Sequence, residues 1–522
     1  MMDWAKAPLD RNQVTLFAPT LDDTIAADHP VRLFDDVMRT VDFLSWENNY
    51  NRTVGQPPIH PRFLASIILY GMTLGIRASR KLEDMTINRM DAIWLLDGRQ
   101  PDHATICKFR TQFETPLKEL FKQIGRLAIT MGMVSLNQVT LDGTAIRANN
   151  SREKTARRAT LEEKIKSLDD QIDAAMQQAV TADQADDQMY GETSPVKLPK
   201  DLADLKKRQA KLAEAIKQLA EIEKNRAAHG ERKDVSKLGP AVPLTDPDSR
   251  VLPNKEGGFA PNYTGVLAVD SDHGIIIDVQ ILSGNDEPST VLPAVENIQE
   301  LLGEKPKQIA ADSGFNTGVN LTGLEAQNVQ PLMPPKQEFD SNPALREDLS
   351  QPVPPEQHAQ LPINPQNKNL DKSGFIYDAK NDQYICPMSN VLLHIGGKKY
   401  NRHGVTGIYE MYEAPESACA DCPLKKQCLQ KDTTVRHIYR DEHEAAREKM
   451  AAYMKTEKGK AEYRRRAWSA ETPFAVMKFI LNFRRFLLRG VKKVTMEFTW
   501  TAIACNLKKI VRFRATEMAK MA

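Results

Sequence analysis

Apolar positions along this 522-residue chain recur with two different periods, and the switches between them divide it into segments. Residues 1 to about 30 show little periodicity. From Pro30 to Met133, the stretches "VRLFDDVMRTVDFL", "PRFLASIILYGMTLGI", "SRKLEDMTINRMDAIWLL" and "HATICKFRTQFETPLKELFKQIGRLAITMG" carry helical spacing. "HPVR" and "HPRF" put Pro at a helix start, and Asp102 is set to cap a helix over His103 to Phe113. Arg77, Arg80, Lys81, Lys108 and Arg110 are spread over these helices, which suits a helix-turn-helix-like DNA-binding bundle. A plain helical bundle fits the pattern equally.

Residues 155 to 230 read as a separate unit. Leu161, Ile165, Leu168 and Ile172 step by four and three, as do Leu202, Leu205, Leu212, Ile216 and Leu219 if Gln209 fills one seam position. Gly191, Pro195 and Pro199 lie between the runs, so the pattern predicts two antiparallel helices and a loop. Strand-like text follows the opening "QVTLD": "NYTGVLAVD" (262–270), "GIIIDVQIL" (274–282), "KQIAAD" (307–312) and "VQPLMP" (329–334). A helix is expected from about Thr290 to Leu302, and a short one before the last strand. That order predicts an α/β architecture, a strand hairpin followed by crossovers. Pro331 to Asn369 reads as loop or linker, 373–440 as short strands with four cysteines, and the remainder as basic helices.

Charge sharpens this picture at one end. The net charge of +2 conceals 17 Lys or Arg against 5 Glu in residues 451–522. Such a segment points to a polyanion partner, with a solvated helix face as the bland alternative. The chain opens without a basic and apolar leader, and no run approaches the roughly 18 apolar residues that span a bilayer. Six cysteines in so long a chain make no disulfide scaffold, so a reducing cytoplasm is the expected location. G-x-S-x-G, Walker A and strand-borne G-x-G-x-x-G patterns are missing, which removes the chemistries they carry.

Two carboxylates share a context. "VTLDGTA" and "IAADSGF" each set an Asp between an apolar strand and a turn-forming residue, with a sharp bend expected at Asp142-Gly143. On neighbouring strands, Asp142 and Asp312 would meet at the carboxyl ends of a sheet. There they repel unless a hard cation such as Mg²⁺ or Mn²⁺ lies between them. The third candidate is Glu471 in "YRRRAWSAETPFAVMKFILNFRRFLLRG". A helix here carries Arg464, Arg465 and Arg466 about two turns before it and Lys478 two turns after, with Glu471, Phe474 and Lys478 on one face. Pro473 predicts that the helix begins or kinks beside Glu471. Amid so many bases, the bland reading of Glu471 is a salt-bridge partner.

Cys386, Cys419, Cys422 and Cys428 stand in "YICPMS" and "SACADCPLKKQCLQ". Four thiolates suit tetrahedral Zn²⁺, while an Fe–S cluster and plain buried thiols stay open as alternatives. Cys107 and Cys505 lie in apolar helical text and read as core.

Taken in order, these motifs resemble a known family. "HPRFLASIILYGMTLGIRASRKLED", "RQPDHATICKFR", "LDGTAIRANNS", "TDPDSRV", "NYTGVLAVDSDHGII", "ADSGFNT", "YRRRAWSAETPFAVMK" and "LLRGVKKVTMEFTWTAIACNLKKI" are similar to bacterial insertion-sequence DDE transposases with an InsH-like N-terminal helical domain. The resemblance covers most of the chain. It implies an RNase H-like catalytic core with Asp142, Asp312 and Glu471 as metal-binding triad, loaded with two Mg²⁺ or Mn²⁺ ions. The family's Tyr-Arg-Glu-Lys signature looks like Tyr463, Arg466, Glu471 and Lys478, with Arg466 to Glu471 one residue longer than in the commonest version. DNA contacts are expected from Lys108, Arg110, Arg147, Tyr463, Arg464, Arg466, Lys478, Arg484, Arg485 and Arg489.

The expected parts are a helical DNA-binding region (1–133), the first core strand (134–150), a helical-hairpin insertion (151–235), further core (236–335), a Pro-rich and four-cysteine β-rich insertion (336–450), and basic helices completing the core (451–522). The implied function is DNA transposition: 3′-strand cleavage at terminal inverted repeats and strand transfer to target DNA by a homodimer, with no membrane. A non-catalytic DNA-binding relative and a nuclease lacking strand transfer are the rival readings.

Overall fold

The computed structural model describes residues 20–50, 57–150, 154–190, 200–228, 240–253, 257–337, 342–402, 405–431 and 433–521. The chain is mixed α/β and divides into two compact units: Met1–Thr155, Pro243–Lys307 and Arg466–Ala522 form one, and Ala156–Val242 with Gln308–Arg465 the other. Among the described residues, no helix is long and apolar enough to cross a membrane.

The first unit begins with the expected short helices, and the local signals that predict their starts are visible as bonds. His29 Nδ1 accepts from Val31 N at 3.2 Å at the head of Pro30–Thr40, and His60 Nδ1 accepts from Arg62 N at 3.1 Å at the head of Pro61–Thr73. Asp102 caps His103–Gln112 by accepting from Thr105 N at 2.6 Å. These helices share a core with the long C-terminal helix Val491–Met521. Trp46 stacks on Phe109 with centroids 4.6 Å apart and meets Trp500 at 5.9 Å, and both Trp side chains are fully buried.

A four-stranded antiparallel sheet completes this unit. Val139–Arg147 pairs with Phe259–Asp270 in unbroken register, from Val139 opposite Asp270 to Arg147 opposite Asn262. The far edge of Phe259–Asp270 carries Ile276–Leu282 and Arg250–Pro253. The sharp bend expected at Asp142-Gly143 is absent. Asp142 faces Leu267, Gly143 faces Val266, and the strand runs on to Arg147. A turn signal yields here because the dipeptide lies inside an unbroken antiparallel register with Phe259–Asp270. Gly265, opposite Thr144, leaves room for the ring of Phe498 from the C-terminal helix: a Cβ there would stand 2.8 Å from it.

The second unit contains the helical hairpin, Arg158–Tyr190 against Lys200–Ala228. Leu168, Ile172, Leu205 and Leu212 pack in its seam, and Gln209 occupies the predicted seam position, donating to Asp169 Oδ1 at 2.6 Å. A half-buried polar pair in a seam favours one register at some cost in stability. The turn residues Gly191, Pro195 and Pro199 lie outside the described residues.

Gln308–Ala310 and Gln330–Leu332 pair in parallel, joined through helix Gly318–Ala326 as the crossover rule requires. A separate five-stranded antiparallel sheet runs in the order His437–Asp441, Val405–Glu413, Val391–Arg402, Gln383–Ile385, Ile376–Asp378. The Pro-rich stretch is irregular, but it packs rather than links. Ala344, Val353, Leu361 and Leu370 are buried with Phe375, Tyr384 and Leu392 in the core of that sheet.

Candidate active site

Strand period places Thr140, Asp142 and Thr144 on one face of Val139–Arg147. The helix Arg466–Ala475 and the π-helical turn Val476–Ile480 after it bond that face at three points. Arg466 donates to Asp142 Oδ1 at 2.9 Å, the Thr140 and Ser469 hydroxyls lie 2.8 Å apart, and Lys478 Nζ donates to Thr144 Oγ1 at 2.7 Å. Glu471 lies on the same helix and is exposed. Glu471 makes no hydrogen bond or ion pair among the described residues, so the salt-bridge reading of this side chain does not hold.

The helix differs from expectation in its limits. It starts at Arg466, after a break at Arg465 that puts Arg464 on a separate helix, Glu457–Arg464. Pro473 is tolerated inside it, and the backbone loosens into the wider π turn directly afterwards. Phe474 turns into the core at 7% exposure, while Glu471 is exposed and Lys478 half-buried.

Gly143 explains why this strand holds no Cβ beside Asp142. A Cβ built there would stand 2.5 Å from Glu287 Oε2, so the glycine admits the Glu287 carboxylate against the strand backbone. Sequence reading missed Glu287, which opens the short 3₁₀ turn Glu287–Thr290. The signal available was an unexplained Gly inside an apolar strand.

Arg147, Arg484, Arg485 and Arg489 are grouped around a single connection. Phe486 N donates to Arg147 O at 2.8 Å, Arg485 donates to Asn149 Oδ1 at 3.2 Å, and Arg489 Nε donates to Asn149 O at 2.9 Å. From beneath, buried Arg77 donates to Asn482 O and Arg485 O and ion-pairs with Glu497 at 2.5 Å. Glu497 also accepts from Leu487 N and Leu488 N. Arg110, expected at a DNA surface, is buried at 4% exposure and donates to Arg77 O at 2.7 Å, while Lys108 is exposed. Arg77 and Arg110 therefore hold the fold together.

In the second unit, Asp312 follows Gln308–Ala310 and is half-buried. Its Oδ1 accepts from Gly314 N at 2.7 Å, so it closes a local turn at the end of its strand. Tyr463 is half-buried and Arg464 exposed. The same unit gathers Cys386, Cys419, Cys422 and Cys428, all unpaired, around one cavity of about 30 Å³. Cys505 is buried as expected, whereas Cys107 is half-buried.

With this geometry in view, two family models match the chain. The model described as Transposase domain (DUF772) covers residues 19–112, and the model described as Transposase DDE domain covers 385–511. Both matches are to transposase models, and together they support an insertion-sequence DDE transposase. No curated protein matches it. The DDE match takes in Glu471, Lys478, the arginine-bearing connection and all four cysteines of the cavity, and begins beyond Asp142 and Asp312. Among the described residues, no group of three or more His, Cys, Asp or Glu stands at metal-binding geometry. The oxygen donors of Asp142 and Glu471, on a strand and helix packed together, fit Mg²⁺ or Mn²⁺ in kind.

Proposed function

We propose that this transposase cuts the 3′ strands at the terminal inverted repeats of its element and transfers them to target DNA. The observation that carries this reading is the three-point bonding of the Glu471 helix to the face of the strand bearing Asp142, with Glu471 left unpaired among the described residues. The resemblance adds Asp312 as third ligand and an RNase H-like core as the framework. Bound divalent ions would supply Lewis-acid activation of water and of the leaving oxygen.

The chain's own part is positioning. Lys478 and Arg466 put positive charge beside the acidic strand, where phosphate oxygens of a DNA end must approach. Arg147, Arg484, Arg485 and Arg489 hold the flanking duplex by phosphate contacts, so end binding weakens steeply with salt. A homodimer brings two ends together for coupled joining.

The test is Mg²⁺-dependent nicking and joining of duplexes that carry the DNA bordering this reading frame. Asp142→Ala, Asp312→Ala and Glu471→Ala are expected to abolish both steps and to keep end binding. Nicking without joining would replace the reading with a nuclease, and binding without nicking in the unaltered protein would replace it with a DNA-binding relative.

A further inference from the structure

Four of the six cysteines converge from two stretches separated by a long hairpin. Cys386 follows the strand Gln383–Ile385 and opens a tight turn: Cys386 N donates to Asn390 O at 2.9 Å, Ser389 N donates to Cys386 O at 2.9 Å, and Ser389 adopts the left-handed φ of 62°. Cys419 lies on the single-turn helix Glu416–Ala420, Cys422 follows it, and Cys428 ends the next turn, Lys425–Cys428. Each thiol thus sits at an element end, where the backbone is fixed before any ligand arrives.

The rest of the lining is apolar except for Asn390 and one charged side chain. Leu370, Phe375, Leu392 and Leu424 contribute hydrocarbon, and the charge is that of Arg436. Its guanidinium donates to Cys428 O at 2.8 Å and Leu370 O at 2.9 Å and lies over the Phe375 ring at 5.0 Å. Arg436 Nε is buried without a partner, and Arg436 forms no ion pair with a carboxylate among the described residues. Reduced thiols packed as small hydrophobes offer only weak acceptors to the buried Nε of this half-buried side chain.

We infer that Cys386, Cys419, Cys422 and Cys428 form a closed tetrathiolate zinc centre, with Arg436 as its charge-compensating positioning residue. Four thiolates around a dication carry two surplus negative charges, and Arg436 offsets one of them. Four thiols lining one cavity match the donor count of a single tetrahedral ion. With four protein ligands, no position is left open for a substrate, so the centre fastens the Cys386 turn to the 416–428 segment and serves folding, not catalysis. The four thiols do not stand at metal-binding geometry without the ion, so binding draws the sulfurs inward to about 2.3 Å from it.

The experiment uses the full chain, purified without chelator. Elemental analysis is expected to find one zinc per chain. Exchange into cobalt is expected to give intense thiolate-to-cobalt absorption and the visible bands of a tetrahedral site. Arg436→Gln is expected to keep that spectrum while weakening metal retention about 10- to 100-fold against a competing chelator. Cys386→Ser and Cys428→Ser should each lower retention further. Substoichiometric zinc together with a cobalt protein lacking thiolate absorption overturns the proposal, as does recovery of iron with acid-labile sulfide. Both decisive measurements are made on the unaltered chain, so they stand even where a variant fails to fold.

Discussion

Arg466 donates to the Asp142 carboxylate at 2.9 Å across a separation of 324 residues, with 16% and 20% of the two side chains exposed. At such partial burial the guanidinium competes with any cation for that carboxylate. Arg466→Ala should therefore shift the Mg²⁺ dependence of nicking to lower concentration, while the maximal rate falls on the order of 10-fold through lost phosphate positioning. Arg466→Lys should keep the charge and recover part of the rate. A magnesium titration of both variants decides, and an unchanged half-saturation point removes the competition.

Gly143 makes a second prediction about the same strand. Its Cβ position lies 2.5 Å from Glu287 Oε2, so Gly143→Ala forces that carboxylate away and should cost about 1–3 kcal/mol. Shortening the intruding side chain should relieve the clash: Gly143→Ala combined with Glu287→Ala is expected to melt close to Glu287→Ala alone. Denaturant unfolding of the three variants measures this, and additive losses in the double variant count against the contact.

How far such features are legible in the sequence depends on how far away their partners lie. His29, His60 and Asp102 cap helices through bonds to residues two or three positions away, and the local pattern predicts all three starts. Heptad counting alone places Gln209 in its seam. The bend predicted at Asp142-Gly143 fails because the use of that glycine is set by Glu287, an approach no local rule encodes. The DNA contact expected of Arg110 fails for the same reason: the Arg77 carbonyl that holds it, and the burial that removes it from solvent, come from tertiary packing. Glu471 stands amid bases in the sequence, yet the fold gives Arg466 and Lys478 other partners and leaves it unpaired among the described residues.

Arg77 and Glu497 form a buried pair at 6% and 0% exposure. Arg77→Met leaves the Glu497 carboxylate without its cation, which should cost about 3–5 kcal/mol. The same pair fixes the carbonyls and amides of residues 482–488, the stretch that carries Arg484 and Arg485. Loss of end affinity is expected to accompany the loss of stability in Arg77→Met, whereas Arg484→Ala should weaken binding without moving the unfolding midpoint. Parallel measurement of end affinity and denaturant unfolding checks both variants.

Asp278 carries a pH dependence that owes nothing to catalysis. Burial pushes its carboxyl up to about 6, although Gln280 and Asn297 donate to it at 2.8 and 3.1 Å. The folded chain therefore binds more protons than the unfolded one between about pH 4 and pH 6, and the site's contribution to stability falls as pH rises through that window. Asp278→Asn should stabilise the protein at pH 7 by at most about 3 kcal/mol, and by nothing near pH 4. Unfolding curves at both pH values test this, and a gap that ignores pH would falsify it.

Phe479 is 73% exposed, one residue beyond Lys478 in the π turn, with the Arg484 guanidinium 5.4 Å from its ring centroid. An aromatic side chain held out to solvent contributes little to the fold, so it is free to meet a ligand. If the DNA end approaches Lys478, the ring is placed to stack on an unpaired base, a contact worth about 1–3 kcal/mol. Phe479→Ala should then weaken binding of an end with a single-stranded overhang about 5- to 100-fold, leave a fully paired duplex less affected, and keep the melting temperature. Phe479→Trp should restore the overhang preference while Phe479→Leu does not, because a base stacks on a π face and not on hydrocarbon of similar size. Anisotropy titrations with the two duplexes separate these outcomes, and equal recovery by Leu and Trp assigns Phe479 to simple apolar contact.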